Sequence, residues 1–117
     1  MVDFNPARGS EQAGVCPALV IQNDAGNASP RYPNTIVLAM STKGKPVPFH
    51  VRLEPTKGNG LREMSFVKCE QILTIAKSRL LGRALGRATA AQLKSIEIAM
   101  LLSFGIGLRP TAASAGR

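Results

Sequence analysis

Short apolar runs separated by turn-forming residues make up most of this chain, and a helical pattern occurs only near its end. Residues 18–21 and 35–40 have the length and composition of strands that are buried on both faces. Residues 49–53 alternate apolar and polar side chains, which is typical of a half-exposed strand. Further strands are predicted at residues 2–4, 64–69 and 72–76, with a glycine-kinked strand at residues 80–87, where Leu-Gly-Arg occurs twice.

One helix is expected after residue 89. Thr89 and Gln92 have the spacing of a capping box, and Gly105 and Gly107 are suited to ending the helix. Its buried stripe is predicted to consist of Leu93, Ile96, Met100 and Phe104. Residues 23–34 are rich in Asn, Gly, Ser and Pro and are expected to form a long mobile loop, and residues 41–46 a basic turn. The pattern therefore favours a small, mainly β, partly open barrel capped by a helix.

Composition restricts the class of protein. The chain has 117 residues, room for one domain, which we expect to span residues 1–108 before a disordered tail at 109–117. A hydrophobic content of 44% is too high for a disordered chain. No apolar run approaches about 18 residues, and the first residues lack the pattern of a signal peptide. Cys16 and Cys69 are interpreted as reduced thiols of a cytoplasmic protein.

The charge balance indicates the kind of partner. The net charge is +8, which favours a nucleic acid or a strongly acidic protein. Aromatic residues make up only 4%, so a base-stacking platform is poorly supported. The chain holds one His and no tight acidic group, so neither a two-metal nuclease nor any metal or cofactor is expected.

One motif is specific enough to indicate a family. Residues 9–17 read Gly-Ser-Glu-Gln-Ala-Gly-Val-Cys-Pro and lead directly into the apolar run at 18–21. This stretch resembles the active-site loop and second strand of the MazF/PemK (Kid-like) endoribonuclease toxins. Residues 36–42, 48–51 and 69–75 resemble later segments of the same family, in the same order.

The resemblance implies a fold, an activity and partners. The expected fold is an SH3-like, partly open β-barrel with a C-terminal α-helix, as in CcdB and MazF, working as a homodimer. The expected function is that of a type II toxin–antitoxin toxin, a sequence-specific and metal-independent endoribonuclease. It would cleave single-stranded RNA by attack of the ribose 2′-hydroxyl on the adjacent phosphate. The second partner would be an acidic, partly disordered antitoxin of the MazE or PemI kind, bound in the same groove at the subunit interface.

The resemblance also implies site residues. Glu11 matches the family's active-site glutamate, Ser41 or Thr42 the catalytic hydroxyl, and Cys16 the position of the catalytic arginine. Candidate RNA contacts are Arg8, Gly9, Ser10, Gln12, Lys43, Lys45, Arg52, Glu70 and Gln71. His50 alternates with Phe49 and Val51, so it is expected on the outer face of its strand, and no role is assigned to it.

Two departures from the family pattern leave alternatives open. A thiol at Cys16 has neither the fixed charge nor the bidentate fork of a guanidinium. Met1 falls within the family's first strand, so that strand is expected to be truncated. One alternative is therefore a catalytically impaired or dead member that still binds antitoxin or RNA. A second is a CcdB-like protein that binds a topoisomerase, although the motif at residues 9–17 argues against it.

Overall fold

The computed structural model of the chain describes residues 1–4 and 14–105, and an antiparallel sheet forms its centre. The strands are β1 Val2–Asp3, β2 Val15–Cys16, β3 Ala18–Val20, β4 Asn34–Ser41, β5 His50–Leu53 and β6 Ser65–Ala76. The helices are α1 Asp24–Ala28, a 3-10 turn Lys77–Arg79, and α2 Ala90–Phe104. Four strands form the sheet in the order β3-β4-β6-β5, and β1 pairs with β2. This curled antiparallel sheet with one C-terminal helix confirms the expected mainly β architecture, a small partly open barrel with a helix at its end.

The central strand β4 has apolar residues on both faces. On one face it joins a cluster with β6, β5 and α2, made of Leu38, Met40, Leu53, Val67, Cys69, Ile96 and Ala99. On the other face Val37 packs with Val2 and Phe4. The nearly continuous apolar run at residues 35–40 is explained by this two-sided burial, as expected for a strand covered on both faces.

The helix α2 begins and ends as its sequence predicts. The Thr89 hydroxyl accepts from the Gln92 backbone, and the Gln92 side chain accepts from the Thr89 backbone, so the capping box is complete. Gly105 ends the helix with a positive φ of 73°, a conformation that glycine adopts without steric cost. No helix in residues 1–4 and 14–105 is long and apolar enough to cross a membrane.

The predicted stripe of α2 is only partly buried. Ile96 and Ala99 are buried and Met100 is half-buried. Leu93 and Phe104, which were expected in the core, are 39% and 46% exposed. Periodicity gave the correct face, but it could not show how far the sheet reaches along the helix.

Two expectations on the strands were wrong, one on where a strand ends and one on how far a strand is buried. Residues 64–69 and 72–76 are not separate strands, because β6 runs without interruption from Ser65 to Ala76. The residues between them form a bulge: Leu38 pairs with Ile72, while Ala39 pairs with Lys68. The run at residues 18–21 is also not buried on both faces, because β3 lies at a sheet edge and Val20 is 41% exposed.

The repeated Leu-Gly-Arg segment is not a strand. Apart from one isolated bridge between Leu80 and Val2, residues 80–87 form no ladder. The segment is held where Gly86 approaches the backbone of residues 58–59, and where the Arg87 N–H donates to the Gly58 carbonyl at 2.8 Å. A side chain at Gly86 would overlap that backbone, so close approach explains the glycine here.

Residues 23–34 do not form a loose loop. They contain the short helix α1, whose first turn is capped by the Asn23 side chain. Asn27 accepts hydrogen bonds from Gln22 and from the buried Thr35 hydroxyl. The Lys77 ammonium donates to the carbonyl oxygens of Gly26, Asn27 and Ser29. Turn-rich composition was misleading because these polar side chains satisfy one another.

Candidate functional site

The β-sheet register gathers polar residues on the face opposite α2. Ser41 and Arg52 both pair with Phe66, and His50 pairs with Lys68. Because directly paired residues in neighbouring strands point to the same side, these side chains share one face. Their neighbours Met40 and Val67 point to the other side, where α2 packs. We call the polar side the outer face, and its members are Ser41, His50, Arg52, Phe66, Lys68 and Glu70.

The bulge in β6 places Glu70 and Gln71 outside the regular ladder. Residues 69–71 lie between the pairs Leu38–Ile72 and Ala39–Lys68, so they are the extra residues of β6. Cys69 anchors them from below, because its side chain is buried and its N–H donates to the Phe49 carbonyl at 2.9 Å. Glu70 is exposed next to this anchor and Gln71 is half-buried. Bulges commonly redirect side chains at functional sites, and here the redirected pair is Glu70 and Gln71.

His50 is the residue that sequence reasoning missed. Its side chain is only 6% exposed, although it lies on the outer face as expected. Its Nδ1 accepts from the Lys45 backbone N–H at 3.0 Å, and its Nε2 lies 2.8 Å from Glu70 Oε2 and 3.1 Å from Oε1. Since Nδ1 accepts, the ring proton lies on Nε2 and is donated to the Glu70 carboxylate. Only the register of β5 against β6 brings these residues together.

Residues 42–49, the basic loop, lie against the outer face. Gly44 packs so closely on the Phe66 ring that a Cβ at this position would overlap the ring. The Lys43 N–H donates to the Ser41 hydroxyl oxygen at 3.1 Å, which fixes the start of the loop. Lys43 and Lys45 are exposed, and their charge is therefore presented at the rim of the outer face.

The two candidate hydroxyls differ in their placement. Ser41 is the last residue of β4, is half-buried and points to the outer face. Thr42 is exposed in the basic loop, outside the ladder. The Ser41 O–H is still able to donate while its oxygen accepts from Lys43.

Arg52 forms an ion pair on the same face. Its guanidinium contacts Glu54 Oε1 at 2.7 Å, and both side chains are more than half exposed. Exposed pairs of this kind contribute about 0–1 kcal/mol, so a phosphate can compete for the arginine.

Cys16 lies at the boundary between the outer face and the second apolar cluster. It packs half-buried against the cluster of Val2, Phe4 and Val37. Ala18 pairs with Ala39, so Cys16 and Ser41 each lie two residues beyond that pair, at the same end of the β3–β4 ladder.

The thiols of Cys16 and Cys69 are separate and form no disulfide with each other. Burial raises the pKa of the Cys69 thiol to about 11, and the nearby Glu70 carboxylate adds to this effect. The thiol donates instead to the Val67 carbonyl at 3.6 Å. Within the described part of the chain, no three His, Cys, Asp or Glu side chains are grouped as a metal site would require.

The structure therefore brings Lys43, Lys45, Arg52 and Glu70 to one face, with Ser41 at its edge and Gln71 beside it in the bulge. The other candidates, Arg8, Gly9, Ser10, Glu11 and Gln12, lie outside the described residues.

Comparison with known proteins gives consistent results. Residues 1–104 match the model of a family described as PemK-like, MazF-like toxin of type II toxin–antitoxin system. The chain is 36% identical over 111 residues to the endoribonuclease MazF of Staphylococcus epidermidis, covering 92% of this chain and 87% of that protein. It is 41% identical over 105 residues to the endoribonuclease MazF9 of Mycobacterium tuberculosis, covering 86% and 87%.

Solved structures share the fold. MazF from Deinococcus radiodurans superposes with a TM-score of 0.73 at 25% identity, covering 90% of each chain. A mycobacterial endoribonuclease, solved in complex with its cognate antitoxin, has a TM-score of 0.70 at 24% identity, covering 92% of this chain and 91% of that one.

Proposed function

Because this chain belongs to the PemK-like, MazF-like family of type II toxin–antitoxin toxins, we propose that it is an endoribonuclease toxin whose cleavage is limited by Cys16. The observation that carries the proposal is the family match along residues 1–104, which includes the motif at residues 9–17. The basic outer face supports it, because RNA is a polyanion.

The proposed reaction needs no metal ion. A base removes the proton of the ribose 2′-hydroxyl, the 2′-oxygen attacks the adjacent phosphorus, and an acid protonates the departing 5′-oxygen. The products are a 2′,3′-cyclic phosphate and a 5′-hydroxyl. We assign the base to Glu11 and a donor to the phosphate oxygens to Ser41, since Ser41 rather than Thr42 points to the outer face.

RNA binding is assigned to the basic loop and the bulge. Lys43 and Lys45 are suited to phosphate contacts, which position the strand without reading its sequence. The Glu70 carboxylate and the Gln71 amide are suited to reading the exposed Watson–Crick edges of single-stranded bases. Arg8, Gly9, Ser10 and Gln12 of the active-site loop, together with Arg52, complete the proposed contact set.

Cys16 is expected to reduce catalysis more than binding. A thiol at the arginine position provides no fixed cation for the charge that develops on phosphate. Loss of one such donor typically lowers a rate by about 10²–10³. The thiol at position 16 also supports the second candidate function, a catalytically dead member that retains binding to RNA or antitoxin.

The remaining partners follow from the family. We propose a cytoplasmic homodimer that binds an acidic antitoxin in the groove that also takes RNA, since an acidic segment can imitate a polyanion. Apolar side chains on the solvent side of α2 support an interface with another chain. They include Ile98, Leu101 and Leu102, each 37–40% exposed.

The testing experiment is cleavage of a long single-stranded RNA in EDTA. We expect Cys16→Arg to cut at least about 100-fold faster than the wild type and to leave 2′,3′-cyclic phosphate ends. Cys16→Lys is the matched control, because it restores charge without the bidentate fork and should recover only part of the rate.

The outcomes separate the two candidate functions. Cuts by Cys16→Arg alone would show a toxin scaffold that is silenced at one position. If neither chain cuts, the endoribonuclease proposal is overturned, and binding of labelled RNA or of an acidic antitoxin then tests the dead-member alternative.

A further inference from the structure

We propose that His50 is a positioning residue that holds the basic loop and the β6 bulge in one fixed arrangement, so that phosphate and base contacts of bound RNA are made at a fixed spacing. The inference rests on the proposed function, since it concerns RNA on the outer face. The imidazole itself is nearly buried and is not assigned any contact with RNA.

The two ring nitrogens connect two segments that differ in chemistry. Nδ1 accepts from the backbone of Lys45, at 3.0 Å, and so fixes the part of the loop that carries the lysine charges. Nε2 donates to Glu70, at 2.8 Å, and so fixes the carboxylate beside Gln71. A single planar ring therefore sets the distance between the candidate phosphate contacts and the candidate base contacts.

The His50 ring adds a side-chain connection to the backbone bond by which the Cys69 N–H donates to the Phe49 carbonyl. Within the basic loop, the Val47 N–H donates to the Lys45 carbonyl and the His50 N–H to the Val47 carbonyl, so the loop is closed locally. The bond from Lys45 to Nδ1 joins this closed loop to a side chain that reaches β6. Glu70, on an exposed bulge, accepts a hydrogen bond from the imidazole Nε2–H.

A carboxylate held in this way retains acceptor capacity. Each Glu70 oxygen has further lone pairs, and the side chain is 34% exposed, so it can accept from donor groups on a base. The Nε2–H bond restricts its rotamers, so the acceptor is held in one position, and bases with a donor at that position are favoured over bases without one.

Two isosteric substitutions separate the two bonds. In His50→Asn the amide oxygen stands near the Nδ1 position and can accept from Lys45, but no group reaches Glu70. In His50→Gln the amide nitrogen stands near the Nε2 position and can donate to Glu70, but the acceptor for Lys45 is lost. Both variants lose the imidazole ring, so the loss of ring packing is common to them.

The first measurement is hydrogen–deuterium exchange of the wild type and both variants, with no RNA present. We expect the Lys45 amide to exchange at least about five-fold faster in His50→Gln than in His50→Asn, because an amide without its acceptor opens more readily. Equal exchange in the two variants would overturn the role of Nδ1.

The second measurement is binding to 20-nucleotide 2′-fluoro RNA of randomised sequence, which cannot attack its own phosphates. We expect His50→Gln to weaken binding about three- to ten-fold and to reduce its salt dependence by about one phosphate contact. We expect His50→Asn to retain most of the affinity but to flatten the base preference of the selected pool, as Glu70→Gln should also do.

Controls distinguish this inference from the proposed function. Lys94→Gln removes an exposed charge from α2, on the other side of the sheet, and should change affinity less than His50→Gln. If the wild type binds no RNA, both the proposed function and this inference are overturned. If the wild type binds and the three His50 and Glu70 variants bind with unchanged affinity and base preference, only the inference is overturned.

Discussion

The loop around α1 and the basic loop both lie against the sheet, but they are held by different chemistry. Around α1, the Lys77 ammonium donates to three carbonyl oxygens at 2.8–3.1 Å. Asn27 adds bonds to Gln22 and to the buried Thr35 hydroxyl. The groups in this network are amides, hydroxyls and an ammonium, so the loop is fixed as part of the fold.

The basic loop has a smaller set of attachments to the sheet. Its backbone is joined to the sheet through the Ser41 hydroxyl, the His50 ring and the Phe49 carbonyl, which accepts from the Cys69 N–H, and Gly44 packs on Phe66. Its lysines are exposed, and its connection to Glu70 runs through one imidazole. The comparison indicates that the α1 loop contributes mainly to stability, whereas the basic loop presents exposed lysine charge.

The largest expected effect on stability is that of Lys77→Met. The substitution keeps the length of the side chain but removes the donor to three carbonyl oxygens at the end of α1, so we expect a loss of about 3 kcal/mol in the free energy of unfolding. Urea unfolding followed by circular dichroism measures this change. By contrast, His50→Gln should cost about 1 kcal/mol, because it removes one neutral hydrogen bond.

A matched control is available in another lysine. Lys57 is exposed in a turn, so Lys57→Met should change the free energy of unfolding by no more than about 0.5 kcal/mol. Equal losses in Lys77→Met and Lys57→Met, or a larger loss in His50→Gln than in Lys77→Met, would contradict the assignment of the α1 loop to stability.

The buried Cys69 thiol beneath the bulge should make the free energy of unfolding depend on pH in the alkaline range. Burial raises the pKa of Cys69 from an ordinary value near 9 to about 11. Between these values the unfolded chain loses the thiol proton while the folded chain keeps it, so stability is lost as the pH rises. The contribution is fully present below pH 9, and about 2 kcal/mol should be lost by pH 11.

The measurement compares the pH dependence of unfolding in the wild type and in Cys69→Ala. Other groups titrate in the same range, but they are common to both proteins, so the difference between the two curves isolates Cys69. The difference should widen between pH 9 and 11, and parallel curves would show that the thiol is not protected. Below pH 9, alkylation should modify the half-buried Cys16 before the fully buried Cys69.

A smaller loss of stability than in Lys77→Met is expected where Gly44 of the basic loop packs on Phe66. A methyl group in Gly44→Ala would overlap the Phe66 ring, so the loop or the ring must move, at a cost of about 1–2 kcal/mol. Gly58→Ala is the control, because a methyl group there meets only the Thr56 hydroxyl at an ordinary contact distance of 3.8 Å.

The same pair of variants tests the difference between the loops. If the basic loop places charge for RNA, Gly44→Ala should weaken RNA binding by more than its small stability loss would suggest, while Gly58→Ala should not. Unchanged RNA affinity in Gly44→Ala, measured well below its melting temperature, would remove the functional distinction between the two loops.

Local patterns in the sequence were sufficient for a large part of the fold. The capping box at Thr89 and the left-handed glycine at Gly105 depend on near neighbours along the chain, and both were predicted and confirmed. The two-sided burial of β4 follows from an apolar run that only a covered strand can carry. The motif at residues 9–17 indicated the family through its residue types and spacing alone, and the comparisons show that family.

Composition gave wrong predictions of local structure where that structure depends on residues far away in the sequence. Residues 23–34 resemble a mobile loop by composition, but Lys77, 50 positions beyond Asn27, satisfies their carbonyl groups. Residues 80–87 resemble a strand, but no edge of the sheet is paired with them along a ladder. In both cases the sequence shows which hydrogen-bonding groups the segment has, but it does not show which groups pair with them in the fold.

What the sequence alone determined is therefore the places of β4, β5 and α2, the family, and the residue types available at Cys16, Ser41 and Glu70. Only the tertiary structure decided that His50 lies between Lys45 and Glu70, a residue 20 positions away, and that Glu70 and Gln71 lie in a bulge. The reason is physical: turns, caps and periodicity are set by neighbours within a few residues, whereas contacts across a sheet depend on a register that only the packed core fixes.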